Sequence, residues 1–179
     1  MKKCKKCLLP ETHESITFDK EGVCSVCRQI EFKTTKIDWE KKKEDLKELV
    51  EQYRGKYDYD CIVPFSGGKD SVWTLYYLVK ELKVKPLVVR FDHGFLRPNL
   101  NENTTKVLRE LGCDFHTFTP NWKVVQKLML QSFLEKGDFC WHCHTGIFSY
   151  PMHVAIRYNV PLILWGEPSA EYTSYYSYD

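Results

Sequence analysis

The chain lacks any apolar run of the roughly 18 residues that a membrane-spanning helix needs. Its basic start, MKKCKKCLLPETHE, is not followed by the apolar stretch of a secretory signal. We therefore expect a cytoplasmic protein without a membrane span. The composition, with 43% hydrophobic and 28% charged residues, is ordinary for a globular protein.

The chain also lacks a large excess of either positive or negative side chains. The 179 residues carry a formal net charge of +2, and residues 57–179 hold a slight excess of acidic side chains. Proteins dedicated to nucleic acid usually show a strong basic patch. The charge balance therefore argues against nucleic acid as a partner.

Internal repeats and low-complexity linkers are absent too, but the composition changes along the chain. Residues 1–35 are poor in apolar side chains and carry paired cysteines, which predicts a small metal-binding module. Residues 36–56 predict a charged connecting helix that begins near Asp38, a favourable N-cap residue. Residues 57–179 predict the main domain. Its tyrosine-rich tail stops where another helix and strand are expected, so we expect this domain to be incomplete at its C-terminal end.

In the main domain, apolar segments typical of strands alternate with segments typical of helices. The predicted strands are residues 59–65, 86–91, 113–118 and 161–165. The predicted helices are residues 72–82, 101–111, 121–135 and 142–158. Pro151 predicts a kink or a break in the last helix, and the aromatic residues Trp73, Tyr76 and Tyr77 predict that the first is well covered.

This alternation predicts an α/β fold with a doubly wound parallel sheet. Ligands of such sheets bind at the carboxyl ends of the strands, near the point where strand order reverses. The loops at residues 66–71, 92–97 and 166–170 therefore become the candidate binding segments.

The first of these loops combines two glycines, a lysine and an aspartate between two serines. A glycine-rich turn from a strand into a helix directs N–H groups at an anion, and the helix dipole adds to that attraction. A Walker A loop is excluded because it requires a glycine at position 63, which is Val63. An ordinary glycine-rich turn with solvated charges is the alternative interpretation.

The same loop resembles the S-G-G-x-D-S motif of the PP-loop, or N-type, ATP pyrophosphatases, whose fold is of the adenine nucleotide alpha hydrolase-like type. The resemblance holds at every fixed position. It implies cleavage of ATP between the α and β phosphates, with pyrophosphate and Mg²⁺ held by the six residues of the loop: Ser66, Gly67, Gly68, Lys69, Asp70 and Ser71. Lys69 and Asp70 are then the candidate catalytic residues.

The resemblance also implies roles for the other two loops. Asp92, in the VRFDHG turn, would lie near adenine and ribose. Gly166 and Glu167 would lie near the α-phosphate or the adenylated intermediate. No Ser-His-Asp set or carboxylate pair in the sequence competes with this interpretation.

Six of the eight cysteines form three C-x-x-C pairs. In a reducing cytoplasm such pairs indicate metal binding or redox chemistry. The spacing of the first two pairs predicts a structural zinc site with four thiolate ligands: Cys4, Cys7, Cys24 and Cys27. The remaining single cysteines, Cys61 and Cys113, are interpreted as buried strand residues.

The third pair, Cys140 and Cys143, lies in a CWHCH stretch at the start of a predicted helix. A redox pair, a second metal site and plain packing all fit this pattern. The transfer-RNA-thiolating members of the PP-loop superfamily use a similar pair, with a third cysteine further along, to hold a [4Fe–4S] cluster. The resemblance therefore adds a cluster to the alternatives.

Two narrower families share the cysteine-paired N-terminus, the loop and the later cysteine pair. The stretches CKKCLLPET, CHTGIFSYP and WGEPSAEY look similar to the N-acetyl sugar amidotransferases of bacterial surface-polysaccharide biosynthesis, which act in lipopolysaccharide and O-antigen synthesis. That family converts an acetamido group of a nucleotide-linked sugar into an acetamidino group. It uses ATP and ammonia from a partner glutaminase subunit, and this chain has no evident glutaminase nucleophile.

The alternative within the superfamily is 2-thiolation of transfer RNA. A third hypothesis is non-enzymatic: a zinc-ribbon interaction module on a degenerate nucleotide fold. The intact loop at residues 66–71 argues against that module, and the low charge of residues 57–179 argues against transfer RNA.

Overall fold

A computed structural model describes residues 1–12 and 16–167. The described residues divide into two compact units, residues 1–46 with Glu167 and residues 47–166. The tyrosine-rich tail and residues 168–170 of the third candidate loop lie outside the described residues. No helix in the part of the chain that the structure describes is both long and apolar enough to cross a membrane.

The N-terminal unit is built around two short turns and a helix that the sequence patterns did not predict. Isolated antiparallel bridges join Lys3 to Pro10 and Phe18 to Cys24. Helix α1, Ser25–Thr35, begins directly after Cys24. Partly buried apolar side chains pack around three buried cysteines of this unit: Ile16, Phe18, Val23 and Val26.

Helix α2 spans Trp39–Tyr53, inside the predicted helix. Asp38 acts as expected at its start, because its Oδ1 accepts the backbone N–H of Lys41 at 3.0 Å. Near its other end Val50 is buried, which gives the helix its apolar contact.

The main unit has a parallel three-stranded sheet in the order β1-β2-β3. The strands are β1 Cys61–Pro64, β2 Pro86–Phe91 and β3 Asp114–Phe118. Their register pairs Pro64 with Val89 and Phe91 with Phe118. All three strands therefore end at the same edge of the sheet.

Four helices connect and cover these strands. They are α3 Lys69–Tyr76, α4 Pro98–Leu111, α5 Trp122–Lys136 and α6 Trp141–Arg157, and a π-helical segment, Tyr77–Glu81, extends α3. Asn121 caps α5 through its side chain, and Gly112 and Gly137 end α4 and α5 in the left-handed conformation. The helix α6 continues through Pro151, so the prediction of a break there is wrong.

The core lies between α6 and one face of the sheet. Its buried residues are Ile62, Leu87, Val89, Val154, Ala155 and Val160. Leu87 and Val89 alternate along β2, as expected for side chains on one face of a strand. Helix α6 is thus held against the middle of β1 and β2.

Two predictions about this unit need correction. The fourth strand, residues 161–165, reduces to one parallel bridge between Ile62 and Ile163. Pro161, the first residue of this segment, has no N–H to donate. The backbone hydrogen bonds between the segment and β1 involve only Ile62 of β1. Trp73 and Tyr76 are 63% and 41% exposed, so α3 is not covered on all sides.

Ile62 offers a direct test of this core. Ile62 is fully buried, so Ile62→Ala should lower the free energy of unfolding by about 2–5 kcal/mol through lost packing and a residual cavity. Ile156, which is 79% exposed, is the matched control, and Ile156→Ala should change stability by no more than about 0.5 kcal/mol. Urea denaturation measures both, and equal effects would contradict the core assignment.

Candidate functional site

The loop at residues 66–71 connects β1 to α3 at the carboxyl edge of the sheet. Phe65 ends the strand by donating its N–H to the carbonyl of Val89 at 2.8 Å. Gly67 then adopts a φ of +82°, which L side chains rarely adopt. Gly68 is the N-cap residue of α3, so the backbone enters the helix directly after the two glycines. This is the strand–turn–helix geometry that an anion-binding loop requires.

Gly67 also permits a close approach from α4. A Cβ at this position would lie 2.9 Å from the hydroxyl of Thr104 and 3.1 Å from Leu100. The Thr104 hydroxyl is buried and has no hydrogen-bond partner among the described residues. Sequence reasoning missed Thr104, because its place beside the loop depends on how α4 packs rather than on any local motif.

The two serines of the loop hold its shape. The Ser71 hydroxyl donates to the Gly68 carbonyl at 3.0 Å and accepts the Gly67 N–H at 3.1 Å. The Ser66 hydroxyl lies 3.1 Å from Ser71 Oγ and accepts the Gly68 N–H at 3.2 Å. Because the single hydrogen of Ser71 goes to the carbonyl, Ser66 donates to Ser71.

Lys69 and Asp70 form an ion pair at the start of α3. The ammonium nitrogen lies 2.7 Å from one carboxylate oxygen of Asp70 and 2.9 Å from the other. Both side chains are largely exposed, at 88% and 55%. Exposed pairs of this kind are weak, so a bound phosphate group can compete with the carboxylate for the ammonium.

Asp92 follows β2 at the same edge, but its carboxylate is engaged by its own turn and by the segment after β3. Oδ1 accepts the Gly94 N–H at 2.9 Å, and Oδ2 accepts the Thr119 hydroxyl at 3.3 Å. The backbone N–H of Asp92 donates to the carbonyl of Phe118. Asp92 therefore shapes the turn after β2 in this structure.

Gly166 lies directly against α3. A Cβ at this position would lie 2.7 Å from the Thr74 hydroxyl and 3.4 Å from the carbonyl oxygen of Asp70. The structure thus brings Gly166 to the first turns of the helix that follows the loop. Glu167 is exposed, and the next residue of the predicted turn, Pro168, lies outside the described residues.

Cys140 and Cys143 lie in the first turn of α6. Cys140 is the residue before the helix, and its carbonyl accepts the N–H of Cys143 at 2.9 Å. Burial raises the pKa of the Cys143 thiol, and the neighbouring Cys140 raises it further. Within residues 1–12 and 16–167, no third ligand joins this pair in a metal-binding group. Two thiols are fewer ligands than a [4Fe–4S] cluster requires.

A second group of cysteines, in the N-terminal unit, forms a cluster that could hold a metal ion. The sulfurs of Cys4, Cys7, Cys24 and Cys27 all lie within 4.8 Å of one another. The Cys4–Cys27 and Cys7–Cys24 sulfur distances are 3.9 and 3.6 Å. Four sulfurs about 2.3 Å from a central ion at tetrahedral angles would be about 3.8 Å apart. The donor set and spacing therefore fit a zinc ion.

Local turns position these four sulfurs. Oδ1 of Asp19 accepts the N–H groups of Glu21 and Val23, both at 2.9 Å, which closes the turn before the second pair. Gly22 lies in that turn with a φ of +80°. Cys24 follows as the N-cap residue of α1, and Cys27 lies in the first helical turn.

Backbone donors favour the ionised form of one thiol. Burial raises the pKa of Cys4, but N–H groups of Cys7, Cys24 and Lys6 outweigh it and lower that pKa to about 6. These donors lie 3.5, 3.3 and 3.3 Å from the sulfur. Burial raises the pKa of Cys27, so metal binding here must displace protons from the buried thiols.

No family model matches the chain. An uncharacterized protein of Methanocaldococcus jannaschii is 30% identical over 116 residues, which are 63% of this chain and 40% of that protein. The chain therefore spans well under half the length of this curated relative.

Three solved structures resemble the chain. NH3-dependent NAD synthetase from Campylobacter jejuni aligns with a TM-score of 0.53 and 16% identity, over 79% of this chain and 62% of that one. U34-tRNA thiolase NcsA from Methanococcus maripaludis, with its [4Fe-4S] cluster, gives 0.48 and 19%, over 93% and 54%. A predicted subunit of tRNA methyltransferase from M. jannaschii gives 0.42 and 21%, over 66% and 59%.

The parallel α/β sheet, the glycine-rich loop after β1 and the first of these alignments together define the class of fold. The main unit has a parallel α/β fold similar to that of the NAD synthetase, and the predicted α/β fold class with a parallel sheet is confirmed. The four-cysteine cluster of the N-terminal unit also matches its prediction as a group that could hold zinc.

The cysteine cluster yields a metal-content prediction. We expect the purified protein to carry about one zinc ion per chain, and Cys24→Ser to lose it, because one of four closing ligands is removed. The half-buried Cys113, outside the cluster, provides a matched control in Cys113→Ser. Elemental analysis measures both variants, and zinc retained in Cys24→Ser would contradict the assignment.

Proposed function

We propose that this chain is a PP-loop ATP pyrophosphatase that forms AMP and pyrophosphate. The observation that carries the proposal is the loop at residues 66–71, which follows a buried strand and enters a helix through Gly67 at a φ of +82°. The N-terminus of α3, which carries the positive end of the helix dipole, favours a polyanion at this point. Lys69 adds a mobile positive charge at the same point.

In this proposal the carboxylate of Asp70 would hold a magnesium ion. A carboxylate beside phosphates repels them unless a cation lies between, and Mg²⁺ prefers oxygen ligands of this kind. Asp70 is exposed at the start of α3, so its oxygens are accessible to such an ion. When bound, Mg²⁺ would neutralise charge on the phosphates. The serines maintain the loop through their mutual hydrogen bonds.

We further propose that the reaction is amidotransfer to a nucleotide-linked sugar. The acetamido oxygen attacks the α-phosphorus of ATP, and pyrophosphate leaves. Ammonia, supplied by a partner glutaminase, then attacks the acetamido carbon. That carbon–oxygen bond breaks, AMP leaves and one proton is released, so the product is an acetamidino group. Positioning and charge stabilisation supply most of the rate enhancement in such a scheme.

Sequence features support this acceptor. They are the stretches CKKCLLPET and CHTGIFSYP and the slight acidic excess of residues 57–179. The alternative, 2-thiolation of transfer RNA, is favoured by the cysteine pair at the start of α6. The structure provides two cysteines there, and a strong basic patch is not evident from the charge balance.

The loop assignment predicts the effect of removing its charges. Lys69→Ala and Asp70→Ala should each lower AMP and pyrophosphate formation by about 100-fold or more, because each group acts on charge at the transferring phosphorus. Both side chains are exposed, so thermal stability should not change. The exposed Lys80 further along the same helical segment is the control, and Lys80→Ala should keep full activity. Full turnover in Lys69→Ala would refute the assignment.

The acceptor is tested by comparing substrates for AMP release. We expect AMP only when a diacetamido nucleotide sugar, ATP and ammonium chloride are all present, because ammonia must displace the adenylated oxygen. Unmodified transfer RNA with a sulfide source is the opposing substrate. AMP released only with transfer RNA would overturn the sugar acceptor, and no AMP with either substrate would contradict the enzyme proposal.

A further inference from the structure

The helix α6 runs along β2 in the opposite direction, and successive turns of it contact successive parts of the sheet. Ala155 packs in the cluster with Leu87 and Val89. One turn earlier, the ring of Tyr150 packs against Phe91 at 6.3 Å between ring centroids. The next turn back brings Gly146 onto Phe91, where a Cβ would collide with the aromatic ring.

His142 continues this series toward the carboxyl edge of the sheet. It precedes Gly146 by one helical turn, so both lie on the same face of α6. Because Gly146 contacts the last residue of β2, His142, one helical turn nearer the start of α6, lies toward the edge of the sheet from which the His93 turn leaves. The electrostatic influence of His142 on His93 agrees with this proximity.

The hydrogen bonding of His142 defines which ring nitrogen carries the hydrogen. Nδ1 lies 3.2 Å from the carbonyl oxygen of Phe139. A carbonyl oxygen only accepts, so Nδ1 is the donor, and Nε2 of the neutral ring keeps its lone pair. His142 is only 5% exposed, and Nε2 is buried without a partner among the described residues.

His93 has the opposite arrangement. Its Nδ1 accepts the backbone N–H of Phe95 at 3.2 Å, so the hydrogen of the neutral ring lies on Nε2. Burial lowers the pKa of His93; Asp92 opposes this effect, and the neighbouring His142, Arg90 and His144 add to it. The ring is therefore neutral near pH 7. One imidazole at this edge thus offers an N–H donor and the other offers an acceptor.

We propose that His93 and His142 together bind the amide group of the acceptor substrate. His93 Nε2–H donates to the carbonyl oxygen of the acetamido group, and His142 Nε2 accepts its N–H. The proposal rests on the function proposed above and names the group that this part of the site recognises. The proposed contact also accounts for the unpaired Nε2 of His142. A buried acceptor without a hydrogen-bond partner lowers the stability of the fold unless a ligand supplies that partner.

The pair matches the chemistry that the amide must undergo. Accepting the amide N–H shifts electron density toward the carbonyl oxygen, which is the atom that attacks the α-phosphorus. The second lone pair of that oxygen stays available while the first accepts from His93. A hydroxyl in place of the acetamido group lacks the separate carbonyl oxygen and N–H of an amide. It therefore does not make both contacts, one with each imidazole. The two histidines therefore select for an amide.

Asparagine substitutions separate the two roles of each ring. In His142→Asn the amide N–H can still donate to Phe139, while the acceptor at Nε2 is lost. In His93→Asn the amide oxygen can still accept from Phe95, while the Nε2–H is lost. Each variant should weaken binding of a diacetamido nucleotide sugar by about tenfold, the size of one hydrogen bond to a buried group.

Calorimetry measures the affinity of each variant for ATP and for two probes, the diacetamido nucleotide sugar and its hydroxyl counterpart. Affinity for ATP should be unchanged, as should affinity for the same nucleotide sugar with hydroxyls replacing the acetamido groups. His142→Gln, whose longer side chain can present an oxygen near the Nε2 position, should recover part of the loss. His144→Asn is the control, because His144 is exposed and its Nδ1 lies 3.2 Å from the Cys140 carbonyl.

The outcomes distinguish this proposal from the proposed function. If wild type releases AMP with the diacetamido sugar but His142→Asn and His93→Asn bind it as tightly as wild type does, the histidine pair is refuted and the function stands. An equal loss for acetamido and hydroxyl probes, or a large fall in melting temperature, would assign the rings a structural role and also refute the pair. If wild type releases AMP only with transfer RNA, the sugar function fails, and this proposal fails with it.

Discussion

The parallel pairing of β1 with β2 is the constraint on which the site depends. Its register places Pro64 beside Val89, so both strands end at one edge. The loop at residues 66–71 leaves the first strand there, and the Asp92 turn leaves the second. A slip of one residue would move every side chain of a strand to the opposite face. The buried cluster between β2 and α6 opposes such a slip.

The same packing carries the start of α6 to this edge. Gly146 allows the helix to lie directly on Phe91, because any side chain at this position would meet the ring. His142 and the Cys140–Cys143 pair then lie at the carboxyl end of the sheet instead of over its middle. The loop after β1 and the two imidazoles of the proposed amide-binding pair thus lie toward the same edge of the sheet.

The N-terminal unit depends on a different interaction. Its apolar cluster consists of a few side chains around buried cysteines, which is a small core for an independent unit. A metal ion held by the four thiolates would stabilise such a unit, because the free energy of metal binding adds to the free energy of folding. The ion pairs of Arg28 with Asp19 and Glu31 are partly exposed, so they contribute less.

Local patterns in the sequence were sufficient to predict the features whose residues are close along the chain. The loop at residues 66–71 and the cysteine spacing 4, 7, 24 and 27 were identified from the sequence because turn geometry and ligand chemistry restrict residue types at fixed separations. Tertiary structure decided the rest. Only packing exposes Trp73, reduces residues 161–165 to one bridge and brings Thr104 against Gly67. Packing also buries Nε2 of His142 without a partner among the described residues. These outcomes depend on which elements meet in space, and hydrophobic periodicity along a single segment does not contain that information.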